Sequence, residues 1–297
     1  DGTNYSDTIA SGESNDGTYT WTVPFYPGVD TKVKIEDTFY QKLLETSDGQ
    51  IQSGTFANAQ VAGSGTSASA TLTNLFGVSP WTSLTNTPAA IDAGGALAAV
   101  GTDAIYVLRG NNTADFWRYN ISSKSWDTNL AQAPAAVSNG GSLVAMGSNT
   151  LYAFRGGNTA DFWNYDIALN TWTTQTTTPS IAAAPAGVTF GGDLAAVGSN
   201  TLYAFAGGNT TAFWKYDISA NTWTTNPTIA AAPAGVWIGG ALAAFDSDTL
   251  YAYGQAYTND FWKYTISTNI WQKIGHASVP KEMRSGSDFI AVGTDIY

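Results

Sequence analysis

The sequence predicts an all-β protein, most of it a β-propeller of about five blades. Three observations lead there. First, a Phe-Trp pair occurs four times, with Tyr two residues after the Trp and a closing Trp seven beyond the Tyr. The four sets are Phe116-Trp117 with Tyr119 and Trp126, Phe162-Trp163 with Tyr165 and Trp172, Phe213-Trp214 with Tyr216 and Trp223, and Phe261-Trp262 with Tyr264 and Trp271. Second, the closing Trp residues, counted from Trp81, lie 45, 46, 51 and 48 residues apart, a period that suits four-stranded propeller blades. Third, residue size rises along each copy, as it must from a crowded axis to a spreading rim.

Each copy reads as four strands. The first is small and apolar, as in Gly95-Ala96-Leu97-Ala98-Ala99-Val100, and fits beside the axis. The second carries an aliphatic-Tyr step: Ile105-Tyr106, Leu151-Tyr152, Leu202-Tyr203 and Leu250-Tyr251. Alternation on the third puts Trp163, Tyr165 and Ile167 on one face and Phe162 on the other. Both faces are therefore apolar, as a sheet packed between two others requires. The fourth begins at the closing Trp. Turn residues separate the strands: Gly-Ser-Asn at 147–149 and 198–200, and Gly-Gly-Asn-Thr at 156–159 and 207–210.

The ends of the repeat region suggest a shared blade. Trp81 reads as a fourth strand, Phe289-Ile290-Ala291-Val292 as a first, and Ile296-Tyr297 as the start of a second. If residues 70–77 supply a third strand, the two ends form one composite blade and remove exposed edges.

Tyr165-Asp166-Ile167-Ala168-Leu169-Asn170-Thr171-Trp172 and Tyr216-Asp217-Ile218-Ser219-Ala220-Asn221-Thr222-Trp223 resemble the third-to-fourth-strand signature of kelch repeats. The pairs Gly156-Gly157 and Gly207-Gly208 resemble the kelch double glycine, which Gly110-Asn111 and Gly254-Gln255 replace elsewhere. The resemblance covers residues 81–297 and implies a kelch-like propeller, a fold that hosts many unrelated activities. The expected organisation is a β-rich segment at 1–51, a Ser/Gly/Ala-rich linker at 52–69 and the propeller at 70–297. Asn15-Asp16-Gly17-Thr18-Tyr19-Thr20-Trp21-Thr22-Val23-Pro24 resembles a segment of Ser/Thr-rich cell-wall-protein domains, which implies a partial immunoglobulin-like sandwich. Ser14, Asp16, Thr20 and Trp21 also fit a sialidase-type Asp-box. However, Gly17 falls one residue early and the box does not recur in the blades, so a turn into a strand is preferred.

Composition narrows the chemistry. With no Cys and a single His, His276, the chain has no disulfide, thiolate metal site, Cys-His dyad or multi-histidine centre. A copper-radical oxidase on a kelch scaffold, which needs two His ligands, is excluded on the same ground. A net charge of −11 argues against nucleic acid or anionic membrane as partner. No apolar run is long enough to span a bilayer. The recurring Asp115, Asp161 and Asp260, and likewise Asp166 and Asp217, read as hydrogen-bonding residues at turns and strand ends. Asp246 and Asp248 break the repeat and read as a polar turn, with weak Ca²⁺ binding as the alternative. Arg109, Arg118 and Arg155 are candidates for a sugar- or carboxylate-binding rim. Trp237 has no aromatic counterpart in the other copies and is the candidate glycan contact.

Sequons begin at Asn4, Asn111, Asn120 and Asn209. Acidity, few Lys and abundant Thr and Asn suggest an extracellular or cell-surface protein. The favoured function is a non-enzymatic structural or adhesive subunit of a surface assembly, without cofactor or metal, partnered by its own copies or by other surface proteins. A carbohydrate-binding module is the alternative, and a glycan-active enzyme using Asp or Glu stands third.

Overall fold

The computed structural model describes residues 84–254 and 261–274, and outside them the backbone of eight short strands. The chain divides into two compact units, Asp1–Ser83 and Leu84–Tyr297. The first contains β1 (Thr18–Pro24), β2 (Lys34–Glu36), β3 (Leu43–Ser47), β4 (Gln50–Ile51), β5 (Ala59–Ala62) and β6 (Ser67–Thr73). They form two three-stranded sheets, β1-β6-β5 and β2-β3-β4.

Here the structure departs from the sequence reading. β5 and the start of β6 lie inside the expected linker at 52–69. Residues 70–73 belong to β6, which pairs antiparallel with β1 from Thr18 opposite Thr73 to Pro24 opposite Ser67. The division between units accordingly falls after Ser83 rather than after residue 69. The stretch Ser67-Ala68-Ser69-Ala70-Thr71-Leu72-Thr73 has linker-like composition but alternates with the period of a strand, and pairing with a neighbour outweighs composition. Trp81, Asp260 and His276 lie outside the described residues, as does Asn4.

The second unit repeats one sheet four times. Blade one is β7 (Ala96–Val100), β8 (Ala104–Leu108), β9 (Phe116–Asn120) and β10 (Ser125–Asp127). Blade two is β11 (Ser142–Met146), β12 (Thr150–Phe154), β13 (Phe162–Asp166) and β14 (Thr171–Thr173). Blade three is β15 (Asp193–Val197), β16 (Thr201–Phe205), β17 (Phe213–Asp217) and β18 (Thr222–Thr224). Blade four is β19 (Ala241–Ala244), β20 (Thr249–Tyr253), β21 (Phe261–Thr265) and β22 (Ile270–Ile274). Every neighbour in these sheets is antiparallel and sequential. A further hairpin, β23 (Ala291–Val292) with β24 (Asp295–Ile296), pairs Ala291 with Ile296, as blade one pairs Ala99 with Ile105. The described strands thus give four complete blades and a hairpin that repeats the inner half of one. The first strands line up in succession, β7 against β11, β11 against β15 and β15 against β19.

Aromatic rings hold adjacent blades together in one recurring pattern. Phe116 meets Tyr165 and Trp172 of the next blade, both at 4.9 Å between ring centres. Phe162 meets Tyr216 and Trp223 at 5.0 and 4.9 Å, and Phe213 meets Tyr264 and Trp271 at the same two distances. All three Phe side chains are at most 1 % exposed. Mostly edge-on, these contacts exploit the ring quadrupole beyond simple area burial.

Burial also shifts tyrosine ionisation. It is the leading cause that pushes Tyr165 and Tyr203 up to about 12, and it raises Tyr152, Tyr216 and Tyr264 too. A phenol with a raised folded-state pKa stabilises the fold fully below its unfolded value of about 10, and that stabilisation disappears as pH rises through the folded value. The propeller is therefore expected to lose stability from about pH 10 upward, with cooperative unfolding coinciding with tyrosinate absorbance. Normal titration of every tyrosine near pH 10 with the fold intact would contradict this packing.

A polar staple accompanies the rings. Asn170, Asn221 and Asn269 sit in the left-handed region, where Asn is tolerated, at the turn into the fourth strand. Each Oδ1 accepts the hydroxyl of Tyr165, Tyr216 or Tyr264 and the backbone N–H of Ala131, Ala182 or Ala230 in the preceding link. Blade one breaks the pattern. Lys124 occupies the Asn position at φ 52°, and the buried Tyr119 hydroxyl has no hydrogen-bond partner among the described residues. Lys124→Asn restores both the acceptor and the favoured left-handed residue. It is expected to stabilise the fold by about 1 kcal/mol, a rise of roughly 2–4 °C in Tm by calorimetry.

Candidate functional site

The site is assembled from the loops that lead into the four innermost strands. Each loop makes a tight turn before its Gly-Gly step: Gly95, Gly141, Gly192 and Gly240 donate to the carbonyls of Asp92, Ser138, Thr189 and Trp237 at 2.7–2.8 Å. The first glycine of each pair, Gly94, Gly140, Gly191 or Gly239, has φ between 80° and 84°. At Gly191 even a Cβ would lie 2.1 Å from the Trp237 carbonyl oxygen, so adjacent loops stack backbone on backbone. The loops enclose a shallow depression of about 390 Å³ lined by Asp92, Asn139, Phe190, Ile238 and the Gly-Gly steps.

Two aromatic side chains stand out on this face. Phe190 is 41 % exposed and Trp237 44 %, whereas the repeated Phe and Trp residues of the blade interfaces are buried or half-buried. Phe190 belongs to the depression itself, and Trp237 lies on the adjoining loop. The Asn139 amide lines the depression and makes no hydrogen bond among the described residues, while Asp92 Oδ1 accepts the Ala93 N–H at 2.7 Å. Apolar rings beside amide and carboxylate groups can hold a neutral polar ligand that has one apolar face.

Two of these features escaped the sequence reading. Phe190 could have been found by the test that found Trp237, because its counterparts Ala93, Asn139 and Ile238 are not aromatic. Asp193 stands where the other blades have Ala96, Ser142 and Ala241. It accepts the Ser142 hydroxyl at Oδ1 and the Leu242 N–H at Oδ2, both at 2.8 Å, tying blades two, three and four together beside the axis.

The other candidates have structural partners. Arg109 pairs with Asp115 and Arg155 with Asp161, each at 2.8 Å, and each Nε donates to a carbonyl of its blade's leading link, Ala90 or Ala136. Blade three has Ala206 and Ala212 in place of both partners, so the pair is lost as a unit. Arg118 pairs with Asp127 at 3.0 Å. These arginines bind carboxylates of their own blades rather than forming a rim. Asp246 accepts the Asp248 N–H, and Asp248 accepts the Ser267 N–H and hydroxyl. No cluster of three or more metal-ligating side chains occurs among the described residues. Asn111 and Asn209 are exposed on left-handed loop positions, whereas the Asn120 amide donates to Asp103 in the turn between β7 and β8 and accepts the Ser123 N–H of its own turn.

Repeated four-stranded blades, inter-blade aromatic clusters and glycine-paired loops define a kelch-type β-propeller repeat protein. The chain belongs to the family described as the KLHDC2/KLHL20/DRC7 Kelch-repeats domain, which matches residues 89–297. No curated protein matches the chain. Among solved structures it is similar to U3-55K at 10% identity and a TM-score of 0.44, covering 67% of this chain and 56% of that one. It is similar to a fungal alcohol oxidase in complex with copper at 15% identity and a TM-score of 0.45, covering 62% of this chain and 42% of that one. The SapL1 lectin in complex with alpha methyl fucoside gives 17% identity and a TM-score of 0.48, covering 89% of this chain and 85% of that one. The chain thus spans 56% and 42% of the first two structures. No helix of the described residues is long and apolar enough to cross a membrane.

Proposed function

We propose that the protein is a non-enzymatic carbohydrate-binding module that works outside the cell, with the axial face as its contact surface. The observation that carries this reading is the exposure of Phe190 and Trp237 beside a depression that offers Asn139 and Asp92. An exposed ring packs against the C–H face of a pyranose, and amide and carboxylate groups bond its hydroxyls. The net charge of −11 and the carboxylate of Asp92 favour neutral sugars over acidic ones. Composition and the exposed sequons Asn111 and Asn209 support the extracellular setting.

Titration calorimetry with cellohexaose, chitohexaose and mannohexaose tests the reading. Trp237→Ala and Phe190→Ala are each expected to weaken the best ligand by about tenfold, with unfolding temperature little changed because both side chains are nearly half exposed. Equal affinity of both variants and the parent protein would refute it.

A second reading, a structural subunit of a cell-surface assembly, has its own support. The outer face of blade one leaves apolar side chains exposed that every other blade buries. In this reading the propeller is a rigid block and the first unit its connector.

A further inference from the structure

We infer that Asn209 is the N-glycosylation site of the propeller and carries an oligosaccharide at the seam between blades three and four. The inference rests on the extracellular setting proposed above and names one covalent consequence of it. Three sequons begin within the described residues, at Asn111, Asn120 and Asn209. Glycosyl transfer and folding compete for the same two groups, the Asn amide and the hydroxyl two residues on. At two of the three sequons the fold takes one or both.

At Asn120 both are engaged. Nδ2 donates to Asp103 at 3.1 Å, Oδ1 accepts the Ser123 N–H at 2.8 Å, and the Ser122 hydroxyl donates to Asp103. At Asn111 the hydroxyl is that of Thr113, which donates to the Gly110 carbonyl at 2.8 Å. Thr159 and Thr210 make the same bond to Gly156 and Gly207, and all three threonines bridge the valine of the following blade's leading link. Thr113 therefore belongs to the loop design of every blade, and its hydroxyl is spent on closing the turn.

Asn209 is different. Asn112, Asn158 and Asn209 hold one loop position, all left-handed with φ between 55° and 60°. Two residues on, blades one and two have Ala114 and Ala160, whereas blade three has Thr211. Thr211 is exposed, and its hydroxyl makes no hydrogen bond among the described residues. A single departure from the repeat thus supplies the hydroxyl a sequon requires, and the fold does not use it. Asn209 is itself exposed, and its amide makes no hydrogen bond among the described residues. Its Oδ1 lies against Gly235, where a Cβ would collide with it, as Gly187 accommodates Asn158. The amide is thereby seated by its oxygen, and the Nδ2 edge stays unengaged. The loop has also lost its charged flank: Arg155 and Asp161 pair beside the blade-two loop, where blade three has Ala206 and Ala212. The Asn209 N–H donates to the carbonyl of Val236 at 2.8 Å, which roots the glycan beside the loop of Trp237.

The modification is a glycosyl transfer from an oligosaccharide carried on a lipid pyrophosphate, catalysed by a transferase of the export pathway. Nδ2 attacks the anomeric carbon, the C–N bond forms as the anomeric C–O bond breaks, and the pyrophosphate leaves with the bonding electrons. One amide proton passes to the transferase.

Glycopeptide mass spectrometry of the full chain, secreted from a eukaryotic host, tests the site. Oligosaccharide is expected on the peptide that contains Asn209, with Asn111 and Asn120 bare. Thr211→Ala restores the residue of blades one and two, so the unfolding temperature should hold while that glycan is lost. Thr211→Ser keeps a hydroxyl and should keep the glycan. A bare Asn209 in the secreted chain, or a glycan that survives Thr211→Ala, overturns the site. The same measurement on protein from its native cells separates the site from the setting. A glycan on Asn209 there supports both. A bare chain outside the cell overturns the site and leaves the extracellular reading standing, whereas a bare chain inside the cell overturns both.

Discussion

Phe162→Ala is expected to lower the unfolding free energy by about 3–5 kcal/mol in urea denaturation. Phe162 is fully buried and contacts four rings: Tyr152 and Phe154 of its own blade, Tyr216 and Trp223 of the next. Truncation removes the hydrophobic transfer energy and leaves a cavity that two rigid sheets cannot collapse to fill. Because the ring joins two blades, the loss should appear as reduced cooperativity along the array as well as a lower midpoint. Leu169→Ala supplies the contrast: the residue is 71 % exposed, and its removal is expected to change stability by no more than about 0.5 kcal/mol. A similarly small effect at Phe162 would mean that the blades do not depend on these clusters.

Gly191→Ala is expected to cost about 2–5 kcal/mol, from two sources. An L-residue at φ 84° is strained by roughly 1–2 kcal/mol, and forcing a methyl against a packed neighbour adds about 1–3 kcal/mol. The neighbour is the Trp237 carbonyl, 2.1 Å from the new Cβ, and backbone cannot rotate aside as a side chain can. Gly198→Ala separates the two sources. Its φ of 62° imposes the same type of strain, but a Cβ there meets nothing within 4 Å, so only about 1–2 kcal/mol is expected. Gly191→Ala should also displace the Trp237 loop and weaken oligosaccharide binding, whereas Gly198→Ala should not. Equal effects of the two substitutions would show that the loop stack at the axis is unimportant.

Much of this architecture was legible in the residues. The Phe-Trp-x-Tyr-to-Trp spacing placed the strands of each blade, and the alternation around Trp163 and Phe162 assigned their opposite faces. Period-two pleating fixes which side a residue occupies, and the repeat multiplies the signal fourfold. Trp237 stood out for the same reason, as a departure from a pattern. The pattern hid other things. Small Ser, Ala and Thr residues in 59–73 looked like a linker because composition does not record a partner strand, and β1, the partner of β6, lies some fifty residues earlier in the chain. The arginines looked available because their aspartate partners become visible only when strands pair: β8 with β9 for Arg109, β9 with β10 for Arg118 and β12 with β13 for Arg155.

The sequence by itself determined the repeat, the strand order within a blade and the aromatic character of the blade interfaces, all set by local spacing and side-chain size. Only the tertiary structure decided which side chains remain open to solvent. Exposure depends on what the neighbouring blade covers, so Ile91 and Leu97 look like their buried counterparts in sequence and differ from them only in space. Phe190 and Trp237 share one face for the same reason: loops from different blades meet at the axis once the sheets have stacked.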